Sequence, residues 1–256
     1  MTSHHHRDNF INKALGHEKA FQGKLIFQKL LYDNNSIDKS NLVALVLKHD
    51  PITYRAQCWK LLLGILPLST VQHSNLTSQL IQRANHILRC SFFTSLPNKE
   101  SWHMFGVDQN ADSPAEELEI LNVNRDFKQY SPHVIALMVL NSSDTDLLNN
   151  NFDEKEVQRL SIIAKVVQHV TKDLTDAFFL TKIFNEKLMT FLNSNASNLE
   201  SLLSGKLDSH HILFTGMAIV LSINKTIRFW DRLIASNFLN SYFINELKSY
   251  LLENPN

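Results

Sequence analysis

Arg55 and Trp59 stand four residues apart in the segment Pro51-Ile52-Thr53-Tyr54-Arg55-Ala56-Gln57-Cys58-Trp59-Lys60-Leu61-Leu62-Leu63-Gly64-Ile65-Leu66-Pro67. On a helix that spacing puts both side chains on one face. A guanidinium can lie over an indole, an attraction of about 0.5–2 kcal/mol, and still reach an acidic partner. Other residue types that could do chemistry are sparse. His86 and Cys90 share an i,i+4 spacing that two metal ligands could use, but no third ligand suggests itself, so they read as a helix-face pair. His4 to His6 form a short His tract at the terminus, and His210-His211 read as the solvated start of a helix. Ser36-x-x-Lys39 has a Ser–Lys hydrolase spelling but falls in a turn without the rest of that signature. The six glycines are isolated, so no phosphate-cradling loop can be written, and neither H-E-x-x-H nor C-x-x-C occurs. No catalytic residue, metal site or cofactor is expected.

The elements that must position Arg55 and Trp59 read as helices. Apolar residues recur at three and four along the chain, the helical period. Leu25, Phe27, Leu30 and Leu31 begin the pattern, Asp33 to Ser36 interrupt it as a turn, and Leu42, Leu45 and Val46 continue it to about Asp50-Pro51. Pro51 and Thr53 suit the start of the next helix, and Gly64 followed by Pro67 suits its end. Its interior is too apolar for a surface helix and is expected at the centre of the core. A long helix follows Ser69 to about Phe92. Leu96 to Glu116 reads as an irregular loop, Leu118 to Val123 as ambiguous, Val134 to Leu140 as a buried helix, and Asn141 to Asn151 as a mobile polar stretch. Asp153 looks like an N-cap with Glu156 in the capping-box position. Val157, Leu160, Ile163, Val167 and Val170 then form one apolar face. Asp173 opens a helix through Leu188, Leu199 to Leu203 form a short one, Ile212 to Leu221 are buried, Ile227 to Ile234 make a helix face, and Phe238 to Leu252 make the last helix.

The fold class expected is all-α, about ten helices in two packed lobes with no sheet. One domain is expected over residues 1–256, its N-terminal lobe about 9–140 and its C-terminal lobe about 152–256. A chain of 256 residues buries roughly 70–75 % of its unfolded surface, so the core needs no metal or disulfide. Twenty-five basic residues balance 25 acidic ones, which argues against phosphate-driven nucleic-acid binding. Two cysteines exclude a disulfide scaffold. The longest apolar run, Ile212 to Ile223, falls short of the ~18 residues that a membrane span needs. The stretch from Met1 to Arg7 has no apolar core, so no secretory signal is expected, and the expected location is cytoplasmic with Cys58 and Cys90 reduced.

Arg55-x-x-x-Trp59 with Leu62-Leu63-Gly64 and Pro67 resembles the first signature of the TBC domain, the GTPase-activating fold for Rab GTPases. Asp173-Leu174-Thr175-Asp176-Ala177-Phe178-Phe179 is similar to that family's acidic-Ala-Phe-aromatic helix start, and Thr226-Ile227-Arg228-Phe229-Trp230-Asp231 to its Arg-x-Trp-Asp block. The three stand in family order and span most of the chain. The resemblance implies that Arg55, Trp59, Gly64, Pro67, Ala177, Phe178, Trp230 and Asp231 are structural signature residues. It also implies that Arg55 is largely buried, with Asp231 the leading candidate for its partner, since a lone buried Arg is too costly to keep. Within the family, Leu30-Leu31, Tyr54 to Pro67, Asn9-Phe10 and the Asp153-to-Phe184 block are closest to a branch that serves as a subunit of tuberous sclerosis-type complexes. That implies a hamartin-like coiled-coil partner, a tuberin-type GTPase-activating subunit held through it, support of Rheb inactivation and restraint of TOR signalling, and peripheral location at lysosomes or vesicles.

Two departures bear on activity. Catalytic members of the family supply an Arg from I-x-x-D-x-x-R and a Gln from Y-x-Q, help worth roughly 10³–10⁵ in rate. No Arg here has an Asp three residues before it: Arg89 has His86, Arg125 has Asn122 and Arg159 has Glu156. No Tyr is followed two residues later by Gln, and Phe127-x-Gln129 is the nearest aromatic equivalent. A non-catalytic scaffold is therefore expected. The alternative is a Rab GTPase-activating protein using Arg83, Arg89 or Arg125 with Gln129 or Gln168.

Overall fold

A computed structural model describes residues 23–33, 35–95, 131–143, 153–203 and 209–253. The loop expected over Leu96–Glu116, the ambiguous Leu118–Val123, and Asn9-Phe10, Arg125 and Gln129 lie outside the described residues. The fold is all-α. The helices are α1 (23–32), α2 (Lys39–Lys48), α3 (Arg55–Leu63), α4 (His73–Ser95), α5 (Pro132–Ser143), α6 (Glu154–Val170), α7 (Leu174–Leu203), α8 (Ser209–Phe214), α9 (Ile223–Ala235) and α10 (Asn240–Glu253). Among the described residues there is no sheet, only one antiparallel bridge between Ser36 and Ser69.

The helix limits follow from local chemistry. Asp38 caps α2 by accepting from the backbone N–H groups of Ser40 and Asn41. α3 starts at Arg55 after a turn over 52–54, with Tyr54 at the cap and no side-chain capping bond, so Thr53 does not perform the capping expected of it. Its other end is as expected. Gly64 takes φ 81°, and the N–H of Ile65 reaches back to the Lys60 carbonyl at 2.8 Å, closing the last turn in the left-handed geometry that Gly adopts without strain. Asp153 caps α6 through the Lys155 N–H at 3.1 Å, but Glu156 does not complete a capping box, because its carboxylate is taken by Arg159. Asp173 caps α7 through the Asp176 N–H at 2.8 Å.

α7 is the spine. At 30 residues it is about 45 Å long, and it packs on α3, α4, α5, α6, α8 and α10. The separate helix expected at Leu199–Leu203 is its last turns, where buried Leu199 belongs to the main core. Asn141 is likewise inside a helix: it is buried on α5 and donates from Nδ2 to Ser91 Oγ of α4 at 2.8 Å. Ile212 and Leu213 are buried as expected, but the chain turns over 215–220, and Ile219 is exposed there. Two apolar clusters form the interior. The larger runs from Phe27 and Leu42 through Trp59, Phe184 and Trp230 to Leu247. The smaller joins α4, α5, α6 and the start of α7 around Phe92, Met138, Leu160 and Phe178. Each draws on residues from both sides of 140–152.

Candidate functional site

Asp231 is the point at which the chemistry-bearing residues meet. It sits on α9 with its side chain 5 % exposed, facing the start of α3. Arg55 donates from Nε to both carboxylate oxygens at 3.1 Å, and Trp59 donates from Nε1 to Oδ1 at 2.7 Å. The i,i+4 spacing on α3 thus serves a shared carboxylate, and it is that carboxylate which joins guanidinium to indole. Arg55 is 11 % exposed, so its expected burial and its pairing with Asp231 are both present. A second acid completes the group: the Arg55 Nη2 atom also pairs with Asp50, in the connection between α2 and α3. Arg228, exposed on α9 three residues before Asp231, holds the other Asp50 oxygen at 3.3 Å. The cluster therefore fastens α2, α3 and α9 together.

Burial pushes the Asp231 carboxyl up to about 6. The Arg55 charge and the hydrogen bonds from Trp59 and Arg55 oppose that rise, and the charge of Asp50 adds to it. Cys58, one turn along the same helix, is buried, and burial first and Asp231 second push its thiol up to about 12. A thiol held that high is no nucleophile at neutral pH. Arg55 spends its donors on two carboxylates within the chain. The arrangement can clamp helices; it has no nucleophile beside a base and no metal-ligand geometry. Among the described residues no group of three His, Cys, Asp or Glu side chains is arranged to hold a metal. His86 and Cys90 are 3.8 Å apart on α4 as a pair.

The remaining signature residues extend the same joint. Trp230 stacks on Phe184 with ring centroids 4.0 Å apart, lies 6.2 Å from Trp59, and donates from Nε1 to the Gly216 carbonyl at 2.9 Å. Gly216 takes φ 56°, and a Cβ there would come within 3.1 Å of that same indole nitrogen, so the close approach and the left-handed turn both call for Gly. Ala177 and Phe178 are buried on α7. The residue before them, Asp176, pairs at 3.0 Å with Lys60, which follows Trp59 on α3. Burial raises the Asp176 carboxyl and the Lys60 charge opposes the rise. Gly64 and Pro67 lie at the far end of α3, where the Pro67 carbonyl meets His73 Nε2 at 2.7 Å.

A second buried arginine escaped the sequence reading as a structural residue. Arg159 on α6 is 6 % exposed. It pairs with Glu156 through Nε at 3.1 Å and Nη2 at 2.5 Å, and its Nη1 donates to Asn185 Oδ1 at 2.7 Å and to the Phe214 carbonyl at 3.1 Å. It ties α6 to α7 and to the end of α8. The Glu at i−3 was the available signal, and it looks like a surface pair. Of the groups that could replace missing catalytic fingers, Arg83 and Arg89 are exposed on α4 and Gln168 is buried on α6. No protein-family model matches this chain, and no curated protein aligns with it significantly.

Proposed function

We propose that this protein is a non-catalytic subunit of TBC type, resembling TBC domain family member seven in its sequence blocks, that binds a hamartin-like coiled coil. Through that partner it would support a tuberin-type subunit in inactivating Rheb and restraining TOR signalling, in the cytoplasm and peripherally at lysosomes. One observation carries this reading. The three sequence blocks that resemble the family are far apart in the chain yet converge in space: Arg55 and Trp59 meet Asp231, and Lys60 meets Asp176. That residues resembling a family signature by type and order also bond to one another supports the reading.

A binding role rather than a catalytic one is supported by the sequence, which contains neither I-x-x-D-x-x-R nor Y-x-Q. A GTPase activator needs several kcal/mol of transition-state stabilisation, and the buried Gln168 is ill placed to reach a partner's nucleotide. No helix among the described residues is long and apolar enough to cross a membrane, so attachment to a membrane through a partner is consistent with the fold.

The test is size-exclusion co-elution of the full chain with the C-terminal coiled coil of hamartin. A stable complex is the expected result. A folded, monodisperse protein that forms none removes the assignment to this branch. Phosphate release from a panel of GTP-loaded Rabs is expected to stay at the intrinsic rate; acceleration of any of them would instead establish a Rab GTPase-activating protein.

A further inference from the structure

α1 and α2 each carry two stripes. Phe27 and Leu31 of α1 and Leu42 and Val46 of α2 face the main core. A second row on each helix lies to one side of it: Ile26 and Leu30 of α1 with Asp33 just past its end, and Asn41, Ala44, Leu45 and Lys48 of α2. Leu30 and Leu45 are half-buried and also touch the core, whereas Ile26 and Ala44 are exposed. Between the two stripes lies an open trough of about 660 Å³. Its floor is aliphatic, and Ile26 remains 43 % exposed. Exposed Leu25 and Leu47 extend the apolar surface beyond it.

Basic groups outnumber acidic ones along the trough: Lys29 on α1 and Lys48 at the end of α2 line it, against the single acid Asp33. Asp38, the remaining acid of the hairpin, is committed to capping α2. An apolar floor between parallel helical ridges takes a helix whose own row of i, i+3, i+4 and i+7 side chains fills it. The basic flank selects carboxylates beside that row. The geometry points to this trough as the docking site for a partner's amphipathic helix, with Leu or Ile anchors on the floor and Glu or Asp against Lys29 and Lys48. This deepens the scaffold proposal and rests on it for the identity of the partner, because one helix of a coiled coil has this chemistry.

Two probes are titrated against the full chain. One is a helical peptide of about 18 residues, roughly five turns, with Leu at i, i+3, i+4 and i+7 and Glu beside them. The other is the C-terminal coiled coil of hamartin. The exposed positions Ile26→Glu and Ala44→Glu leave the core untouched, and unchanged urea unfolding confirms it. Each is expected to weaken both probes about tenfold or more, as loss of an apolar anchor does, while Ile219→Glu, in the turn after α8, leaves both unchanged. Lys29→Glu with Lys48→Glu is expected to weaken the acidic peptide and flatten its salt dependence. Peptide binding that is absent, or indifferent to Ile26→Glu and Ala44→Glu, overturns the docking site. Co-elution with hamartin that survives those variants overturns the trough and leaves the scaffold proposal standing. Peptide bound in the trough without any hamartin complex supports the trough and overturns the scaffold proposal. A wild-type dimer abolished by Ile26→Glu assigns the trough to a second copy and overturns the partner helix.

Discussion

Two buried arginines are balanced in opposite ways. Arg55 is neutralised from 176 residues away by a carboxylate as buried as itself, and Asp50 takes its remaining arm. Arg159 is neutralised from one helical turn away by Glu156, whose side chain is 41 % exposed, and its other arm is met by neutral groups, an amide oxygen and a carbonyl. The first is a long-range joint between helices that the chain must bring together. The second is a local pair on which distant neutral acceptors converge. Removing the arginine therefore leaves a stranded buried carboxylate in the first case and only unfilled hydrogen bonds in the second.

Arg55→Ala carries the largest expected effect. It leaves Asp231 buried and uncompensated, a loss of about 3–5 kcal/mol in urea unfolding at neutral pH. The loss should shrink on acidification. Burial already holds the Asp231 carboxyl at about 6, above its ordinary 3.8, so the folded state takes up that proton before the unfolded state does. Stability from this group consequently falls as pH rises from near 4 to about 6 and is flat above. Without the lowering charge of Arg55 the folded variant holds the proton to higher pH, so it already gains stability as pH falls toward 6, where wild type is still flat, and the deficit shrinks there. A deficit that stayed constant or grew between pH 7 and pH 5 would break the contrast between the two arginines.

Arg159→Met should cost less, about 1–3 kcal/mol. Glu156 stays hydrated, while Asn185 Oδ1 and the Phe214 carbonyl lose a donor. A loss equal to that of Arg55→Ala, measured in the same titration, would erase the distinction. Gly216→Ala is expected to be smaller, about 1–2 kcal/mol for a left-handed residue gaining a Cβ. It sharpens the comparison, because the turn it occupies serves both joints: Arg159 bonds the Phe214 carbonyl and Trp230 bonds the Gly216 carbonyl. Its effect should therefore be non-additive with both Arg159→Met and a Trp230 substitution. Strict additivity with either would separate the joints.

The sequence made the first joint legible and hid the second. In α3 the signals were local and strong: a Gly whose left-handed conformation ends the helix, an apolar interior, and an Arg four residues from a Trp. What spacing did not reveal was that the two side chains converge on one carboxylate, because that depends on the rotation of α9 against α3. Arg159 was invisible as a joint because two of its acceptors are an amide on another helix and a backbone carbonyl, and neither leaves a pattern in the sequence. Two helices are expected, one through Leu188 and another at Leu199–Leu203, yet α7 runs through the polar stretch between them, with Leu199 anchored in the core beyond. Tertiary burial outweighs weak local propensity there. Asn141 looked like the start of a polar loop, and only its bond to Ser91 across two helices explains its burial.

The most direct test of Arg55 as a structural clamp is a double-variant cycle of Arg55→Ala and Asp231→Ala followed by urea unfolding at pH 7. The expected result is a coupling of about 2–3 kcal/mol, with the double variant less destabilised than the sum of the single ones. Additive losses within about 0.5 kcal/mol, or an Arg55→Ala protein as stable as wild type, would contradict it.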